Sequence, residues 1–350
     1  MKLIIQIPCL NEAEHLPAAL AELPREVEGF DTVEWLVIDD GSTDDTSAVA
    51  RKNGVDHVVR LPYNQGLAKA FMAGIEAALR AGADVIVNTD ADNQYDASCI
   101  PDLVAPIIEG RAQIVVGARP IDRITHFSFV KRRLQRLGSR VVRMASGTDI
   151  ADAASGFRAI HRDAAVRVYV FNPFTYTLET IIQAGRKNVP IVSVPVRVNG
   201  ETRPSRLFKS TFGYVRRSVL TILRIALLYS PLRVFSALAA LIAFPGVVAI
   251  ARFLYLYAIG EGSGHVQSLA IAGGLIAVAA IVAMAGLLAD LIAANRMLLE
   301  DIRTRQFAES LGLAANGTRH AGKTPSAVHE PDHPVSMVRS RAPERRGPPA

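Results

Sequence analysis

Two long uncharged stretches in the C-terminal third constrain this chain more than any other feature of its sequence. The first covers residues 234–251 and the second covers residues 266–289, so they contain 18 and 24 residues without a charge. A helix rises 1.5 Å per residue, and each stretch can therefore cross a hydrocarbon core of about 30 Å. We expect two membrane-spanning helices rather than a purely soluble protein.

The charges around these stretches predict their orientation. The short loop between them, near residues 259–266, has no Lys or Arg, and the N-terminus lacks the features of a signal peptide. Basic residues tend to stay in the cytosol, which predicts a hairpin in the cytoplasmic (inner) membrane with both chain ends in the cytosol. The basic residues at the outer ends are Arg216, Arg217, Arg224 and Arg233 before the hairpin, and Arg296, Arg303 and Arg305 after it.

Two further basic stretches indicate contact with a membrane surface. Residues 206–229 have the pattern of a basic amphipathic helix that lies in the membrane interface, and residues 123–143 contain seven Lys or Arg. A solvated basic face is the alternative interpretation. We place the hairpin at residues 231–297 and expect a cytosolic, mostly disordered tail at 298–350.

Residues 1–205 alternate short apolar runs with helical patterns, which predicts a doubly wound α/β sheet with its ligand site at the carboxyl ends of the strands. A net charge of +6 is too generic to indicate nucleic acid, and two cysteines without motif spacing argue against a disulfide scaffold or a zinc site. The predicted strands are 3–7, 34–38, 84–88, 113–116 and 191–196, and the predicted helices are 12–23, 43–53, 66–81 and 101–109.

Polar residues follow three of these strands, and those after the first strand are Asn11 and Glu12. Asp90 and Asp92 follow the third strand, and two carboxylates at such a position can bind a divalent cation, although a polar turn explains them equally well. Asp40 follows the second strand, where a carboxylate can accept hydrogen bonds from a nucleotide base. The Gly, Ser and Thr residues next to it also fit a simple turn and helix cap.

The combined motifs resemble inverting glycosyltransferases of the GT-A fold, and within them the polyprenyl-phosphate sugar transferases, the branch of dolichyl-phosphate mannose synthase. The resemblance covers about residues 3–230, and the membrane hairpin that follows is also found in bacterial members of the branch. The motifs that carry it are P-C-L-N-E at 8–12, V-I-D-D-G-S-T-D at 37–44, N-Q-G-L-A-K-A at 64–70, D-A-D-N-Q at 90–94, G-A-R at 117–119, D-A-A-S-G-F-R at 152–158 and Y-T-L-E-T-I-I at 176–182.

This resemblance implies roles for individual residues. Asp90, Ala91 and Asp92 match the positions of the metal and the diphosphate, with Asp92 as the more direct ligand, and Gln94 matches a position near the donor sugar. Arg119 matches an arginine near the reacting phosphates. The positions that hold the nucleotide base and ribose are matched by Pro8, Leu10, Glu12, Ile38 and Asp40.

Other arginines are assigned with less direct matches. Many relatives have a lysine that contacts the diphosphate where this chain has Arg206, and Arg203 is the second choice. Arginine is a planar, bidentate donor, so the role survives the replacement. Arg132 and Arg136 fall in the region that meets the acceptor phosphate in relatives.

The predicted reaction is an inverting transfer of a sugar from a nucleotide-diphosphate sugar to a polyprenyl phosphate, with Mg²⁺ or Mn²⁺ as cofactor. The acceptor is already anionic, so Asp152 is expected to orient an arginine such as Arg158, and Glu179 to do the same. If the acceptor were a lipid or glycan hydroxyl, Asp152 would instead act as the base. A noncatalytic nucleotide-binding membrane scaffold is a third reading, and a homo-oligomer stays open.

Overall fold

The computed structural model describes residues 1–120, 139–140, 142–144, 146–170, 176–199, 220, 223–224, 227–260 and 266–312. Within these ranges the chain forms an α/β domain followed by two long helices. Most of the basic stretch at 123–143, most of the amphipathic segment at 206–229 and the tail after residue 312 lie outside the described residues, so these predictions stay untested.

The α/β domain is built on a seven-stranded sheet of order β3-β2-β1-β4-β6-β5-β7. β6 pairs antiparallel with both of its neighbours, while every other pairing in the sheet is parallel. All five predicted strands are confirmed, whereas β3 and β6 were missed because each has only two apolar residues between polar ends. The strands are β1 Lys2–Cys9, β2 Thr32–Asp39, β3 His57–Arg60, β4 Val85–Asn88, β5 Ile114–Ala118, β6 Arg158–His161 and β7 Ile191–Pro195.

Helices cover both faces of this sheet, as the alternating pattern predicts. Phe71 and Ile75 of α3 pack with Ile181 of α6 in one buried cluster. Leu16 of α1 and Ile100 of α4 belong to a second cluster. The helices of the domain are α1 Leu16–Glu22, α2 Thr46–Lys52, α3 Leu67–Arg80, α4 Ile100–Ile108, α5 Arg162–Arg167 and α6 Tyr176–Arg186.

The two uncharged stretches lie in two long antiparallel helices, α7 Pro231–Ala258 and α8 Val266–Ser310. At 1.5 Å per residue they are about 42 and 67 Å long, which exceeds the thickness of a hydrocarbon core. Only 11% of the most apolar window of each helix is buried within the protein, so most of its apolar surface is available to lipid. Both helices are therefore long and apolar enough to cross a membrane.

Two glycines let these helices approach each other closely. A Cβ atom at Gly246 would lie 3.1 Å from the carbonyl oxygen of Ala272, and one at Gly286 would lie 2.5 Å from Cβ of Phe235. Gly246 and Phe235 belong to α7, whereas the other two residues belong to α8. These two glycines thus allow close contacts between α7 and α8.

Helix α8 extends beyond the predicted end of the hairpin at residue 297. It continues to Ser310, and Phe307, Ala308 and Leu311 pack against the cluster that contains α3 and α6. The C-terminal part of α8 therefore packs on the α/β domain. The sequence had assigned these residues to the tail.

Candidate active site

The ends of β1 and β2 are joined by a network of short hydrogen bonds. Asn11, at a φ of 54°, accepts a hydrogen bond from the N–H of Thr43 at 2.8 Å, and its own N–H donates to Ser42 Oγ at 2.9 Å. Asp39 is fully buried and accepts hydrogen bonds from the N–H of Ser42, at 2.7 Å, and from the hydroxyl of Ser47. This network holds the loops that follow β1 and β2 in a fixed conformation at the carboxyl edge of the sheet.

Ionisation of Asp39 is favoured by the same contacts. Burial alone would raise the pKa of its carboxyl group, but the hydrogen bonds from Ser42 and Ser47 and the charge of Arg60 lower it below the usual value. The carboxylate is therefore a structural anchor for the turn at 39–42.

Asp40, the expected base contact, is only 2% exposed. Its two carboxylate oxygens accept hydrogen bonds from the N–H groups of Gln65 and Gly66, both at 2.8 Å. Gly66 has a φ of 92° and begins α3, so Asp40 holds the turn that opens this helix. A contact between Asp40 and a nucleotide base stays a prediction.

Asp90 and Asp92 follow β4 at the carboxyl edge of the sheet, and both are half-buried. A Cβ atom at Gly156 would lie 3.1 and 3.2 Å from the carboxylate oxygens of Asp90. The glycine of the S-G-F-R motif thus permits the close approach of Asp90. Asp92 accepts a hydrogen bond from the N–H of Gln94 at 3.2 Å, which orders the turn after the carboxylate pair.

Two buried tyrosines border Asp90, and the sequence analysis gave neither of them a role. The hydroxyl of Tyr95 accepts a hydrogen bond from the N–H of Gly156 at 3.0 Å. The hydroxyl of Tyr176 lies 3.0 Å from the position of a Cβ at Gly156. Burial raises the pKa of both phenols, and the charge of Asp90 raises it further, so both are neutral. Tyr176 is the first residue of the Y-T-L-E-T motif, and this motif was the sequence signal that could have indicated its position at the site.

Arg119, at the end of β5, forms a two-point ion pair with Asp152. Its Nε lies 2.6 Å from one carboxylate oxygen and a terminal nitrogen lies 3.2 Å from the other. Asp152 is 1% exposed and the side chain of Arg119 is 14% exposed. Burial alone would lower the pKa of Arg119, but Tyr95, Asp152 and Asp90 raise it, so the arginine is a permanent cation whose charge is felt by Asp90.

The arginine partners differ from those expected. Arg158 is fully buried and donates to the carbonyl oxygens of Ser155, at 2.8 Å, and Ala153, at 3.0 Å, and to the hydroxyl of Thr180. Burial lowers the pKa of Arg158 to about 10. Asp152 therefore pairs with Arg119 rather than with Arg158, and Arg158 shapes the loop that carries Asp152 and Gly156.

The remaining expected ligands occupy different environments. Pro8 is buried in β1, and Ile38 packs its side chain in the core beneath α3. Leu10 is half-buried at the site edge, and Glu12 is buried, with its N–H donating to Thr46 Oγ1 at 3.0 Å. Ala91 is buried between the two carboxylates. Arg132, Arg136, Arg203 and Arg206 lie outside the described residues.

The residues present fit a divalent cation such as Mg²⁺. Asp90 and Asp92 supply carboxylate oxygens, which hard cations prefer, and Gly156 leaves space beside Asp90. Within the described ranges no cluster of three or more Asp, Glu, His or Cys side chains could hold a metal. Mg²⁺ is commonly held by one or two carboxylates together with substrate phosphates, so the donor diphosphate would complete the site.

Comparison with known proteins shows the family to which this chain belongs. A model of glycosyl transferase family 2 matches residues 4–168. The chain is also 31% identical over 224 residues to an uncharacterized glycosyltransferase of Mycobacterium tuberculosis strain H37Rv, over 63% of this chain and 94% of that protein. The chain belongs to glycosyltransferase family 2. As a glycosyltransferase it is an enzyme, and the noncatalytic scaffold is set aside.

Two relatives of this glycosyltransferase have names that specify a lipid phosphate. It is 27% identical to the undecaprenyl-phosphate mannosyltransferase of Micrococcus luteus, over 59% of this chain and 88% of the relative. It is 29% identical to the dolichol-phosphate mannosyltransferase of Pyrococcus furiosus, over 62% of each chain. The expected resemblance to this branch of the family is thereby confirmed.

A solved structure confirms the fold. The glucosyl-3-phosphoglycerate synthase of Mycobacterium tuberculosis in complex with phosphoglyceric acid has a TM-score of 0.50 and 20% sequence identity, over 65% of this chain and 78% of that one. This is the GT-A type of α/β sheet that the motifs predicted. The antiparallel strand β6 makes the sheet mixed rather than wholly parallel.

Proposed function

We propose that this glycosyltransferase moves a sugar from a nucleotide-diphosphate sugar to a polyprenyl phosphate at a membrane surface, with inversion at the anomeric carbon and with Mg²⁺ or Mn²⁺ as cofactor. The observation that carries the proposal is Arg119, a nearly buried cation that is paired with Asp152 and interacts electrostatically with Asp90. Two anionic phosphates must approach each other in this reaction, and this site combines a guanidinium group with carboxylates suited to a metal.

The chemistry needs no strong base. An oxygen of the lipid phosphate attacks the anomeric carbon, the bond from this carbon to the diphosphate oxygen breaks, and the nucleoside diphosphate leaves. A phosphate monoester has a second pKa of about 6, so the attacking oxygen carries no proton that must be removed at neutral pH. The product is a sugar–phosphate–lipid diester with inverted configuration.

Asp90 and Asp92 would hold the cation, and a bound cation would neutralise charge on the departing diphosphate. Gly156 and Tyr95 restrict the position of the loop next to Asp90, since the N–H of Gly156 donates to the Tyr95 hydroxyl. Arg119 is held in one orientation by Asp152, so its charge is available to a phosphate without reorganisation.

The contact between Asp152 and Arg119 also weighs against a hydroxyl acceptor. A general base must reach the proton of its substrate, but Asp152 is 1% exposed and both of its oxygens contact Arg119. We assign Asp152 to orienting this arginine, which leaves a phosphate as the acceptor that the site suits best.

We further propose that α7 and α8 anchor the enzyme in the cytoplasmic (inner) membrane, with the catalytic domain and both chain ends in the cytosol. Support comes from Arg233 just before the uncharged stretch of α7 and from Arg296 and Arg303 after that of α8. A polyprenyl phosphate exposes its headgroup at the bilayer surface, where this orientation places the site.

The test is to incubate membranes that contain the enzyme with radiolabelled UDP- or GDP-sugars, mannose among them, and with undecaprenyl phosphate. We expect label in a lipid that releases the sugar in mild acid, and a nucleoside diphosphate in the aqueous phase. Anomeric configuration of the product, determined by NMR, tests inversion, and chelation followed by addition of Mg²⁺ or Mn²⁺ tests the cofactor.

Membranes with an Asp90→Asn, Asp92→Asn double variant provide the negative control. Transfer of label to a water-soluble acceptor alone, or to a lipid hydroxyl in an acid-stable linkage, would refute the proposed acceptor. Retention of configuration would refute the single displacement.

A further inference from the structure

A cavity of about 440 Å³ lies where the two long helices meet the catalytic domain, and we call it the junction cavity. Four elements form it: the end of α5 at Arg167, the C-terminal half of α6, the residues just before α7, and the part of α8 that follows its uncharged stretch. Its lining residues include Arg186, Lys187, Tyr229, Ala293, Arg296 and Glu300.

Two of its cations are already neutralised by carboxylates. Arg296 lies 2.8 Å from Glu179 and 3.1 Å from Glu300, and Lys187 lies 3.5 Å from Glu300. Glu179 and Glu300 are 3% and 6% exposed, so these contacts form a buried network. The network holds α8 against α6 and gives the cavity a fixed wall.

Arg186 has a different environment. Among the described residues no carboxylate lies within ion-pair distance of it, and its guanidinium group lies 5.2 Å from the ring centre of Tyr229. Burial lowers the pKa of Arg186, Arg233 and Arg296 lower it further, and Tyr229 and Asp290 oppose this. Arg186 is therefore a half-buried cation at a cavity whose lining carries four cations, Arg167, Arg186, Lys187 and Arg296, and two carboxylates, Glu300 and Asp301. Even with Glu179 as a third carboxylate, a local excess of positive charge remains at Arg186.

The location of this charge excess limits what can reach it. Tyr229 comes two residues before α7 begins at Pro231, and Ala293 comes four residues after the uncharged stretch of α8 ends at residue 289. The cavity therefore lies close to the level at which both helices would leave the hydrocarbon core of a membrane. Arg186 is ten residues from Tyr176 on α6, about 15 Å at 1.5 Å per residue, so the junction cavity is separate from the donor site.

We propose that the junction cavity binds the phosphate group of an anionic phospholipid, with Arg186 as its main contact and the apolar lining against the glycerol and upper acyl chains. Arginine recognises phosphate through a planar pair of donors, and basic pockets beside membrane helices suit lipid headgroups. The bound lipid would compensate the charge of Arg186 and fill the gap between α6 and α8. This site has no part in the transfer reaction itself.

The proposal is tested by native mass spectrometry of the full-length enzyme in detergent, with equal amounts of phosphatidylglycerol and phosphatidylcholine that carry the same acyl chains. We expect the enzyme to retain phosphatidylglycerol in preference. Arg186→Gln should reduce this preference about fivefold, since one basic residue near an anionic headgroup contributes about 1 kcal/mol. Arg186→Lys, which keeps the charge, should retain most of it.

The matched control is Arg51→Gln, which removes the same charge from an exposed position on α2. Equal retention of the two lipids by the wild type, or equal loss in the Arg186 and Arg51 variants, would overturn the proposal. Displacement of the lipid by excess inorganic phosphate would show that the cavity serves a soluble anion instead.

A second variant keeps the test valid if Arg186→Gln does not fold. Ala293→Glu adds a negative charge to the cavity wall at a half-buried position and leaves Arg186 in place. We expect the same loss of preference for phosphatidylglycerol, with an unfolding temperature close to that of the wild type. An unchanged preference in this variant would also contradict the proposed site.

Discussion

The donor site and the membrane junction are each organised by a buried carboxylate–arginine pair, and the two pairs serve different purposes. Asp152 and Glu179 are 1% and 3% exposed, and their partners Arg119 and Arg296 have side chains that are 14% and 20% exposed. Asp152 and Arg119 both lie in the catalytic domain. Arg296 comes from α8, 117 residues after Glu179. The same interaction thus orients a cation in one region and fixes tertiary structure in the other.

Helix α6 connects these two regions. Tyr176 at its beginning lies beside Asp90 and Gly156, and Glu179, less than one turn later, contacts Arg296 of α8. Helix α6 therefore runs from the proposed donor site to its contact with α8. If the pairs differ as we describe, changes at the first pair will alter turnover, and changes at the second will alter stability and lipid-dependent transfer.

The largest effect is expected from loss of both carboxylates at the donor site. Asp90→Asn with Asp92→Asn should reduce turnover at least about a thousandfold, because the cation and the charge stabilisation of the diphosphate are lost together. Release of the nucleoside diphosphate is the measurement. Asp102→Asn, an exposed carboxylate on α4, is the control, and a double variant with wild-type turnover would remove the metal from the mechanism.

The next prediction distinguishes two possible roles of Asp152, which are to orient Arg119 and to accept a proton. Asp152→Asn should lower kcat less than about a hundredfold, because an orienting group contributes less than the hundredfold or more of a general base. Arg119→Lys should lower kcat about as much or more, since lysine cannot reproduce the two-point contact. A loss of several orders of magnitude in Asp152→Asn alone, with donor binding retained, would instead favour the hydroxyl acceptor.

At the junction, Arg296→Ala should destabilise the protein by about 3 kcal/mol, because it leaves Glu179 as a buried charge without its main partner. We expect a lower unfolding temperature in detergent and weaker transfer to lipid, while the KM for the donor changes little. Glu179→Gln combined with Arg296→Met should recover much of the stability. A large rise in donor KM in Arg296→Ala would show that the two regions are not separable in this way.

The smallest expected effect tests the fit between the loop and Asp90. Gly156→Ala places a methyl group 3.0 to 3.2 Å from the Tyr176 hydroxyl and the Asp90 carboxylate, so these groups must move by a few tenths of an ångström. Turnover should fall about tenfold, with little change in unfolding temperature. Gly273→Ala on α8, where nothing lies within 4 Å, should leave turnover unchanged.

Much of the sheet was predictable because its strands are apolar runs separated by helical patterns. The short strands β3 and β6 were missed, since four residues such as R-A-I-H carry no clear periodicity. The start of α1 was placed four residues too early, at residue 12 rather than Leu16, because the segment after β1 is used in hydrogen bonds to the β2 loop. Such contacts involve residues more than 30 positions apart.

The sequence by itself determined the family, the order of the motifs and the two long apolar helices, because each depends on residue type and local spacing. Only the tertiary structure decided which charged side chains form ion pairs. Asp152 and Glu179 were expected to orient arginines such as Arg158; the arginines that they contact are Arg119 and, on α8, Arg296. A buried charge without a partner is costly, so each buried carboxylate pairs with the arginine that the packing of the helices and strands brings next to it. Residues that are distant in the sequence make these contacts, so local sequence does not determine them.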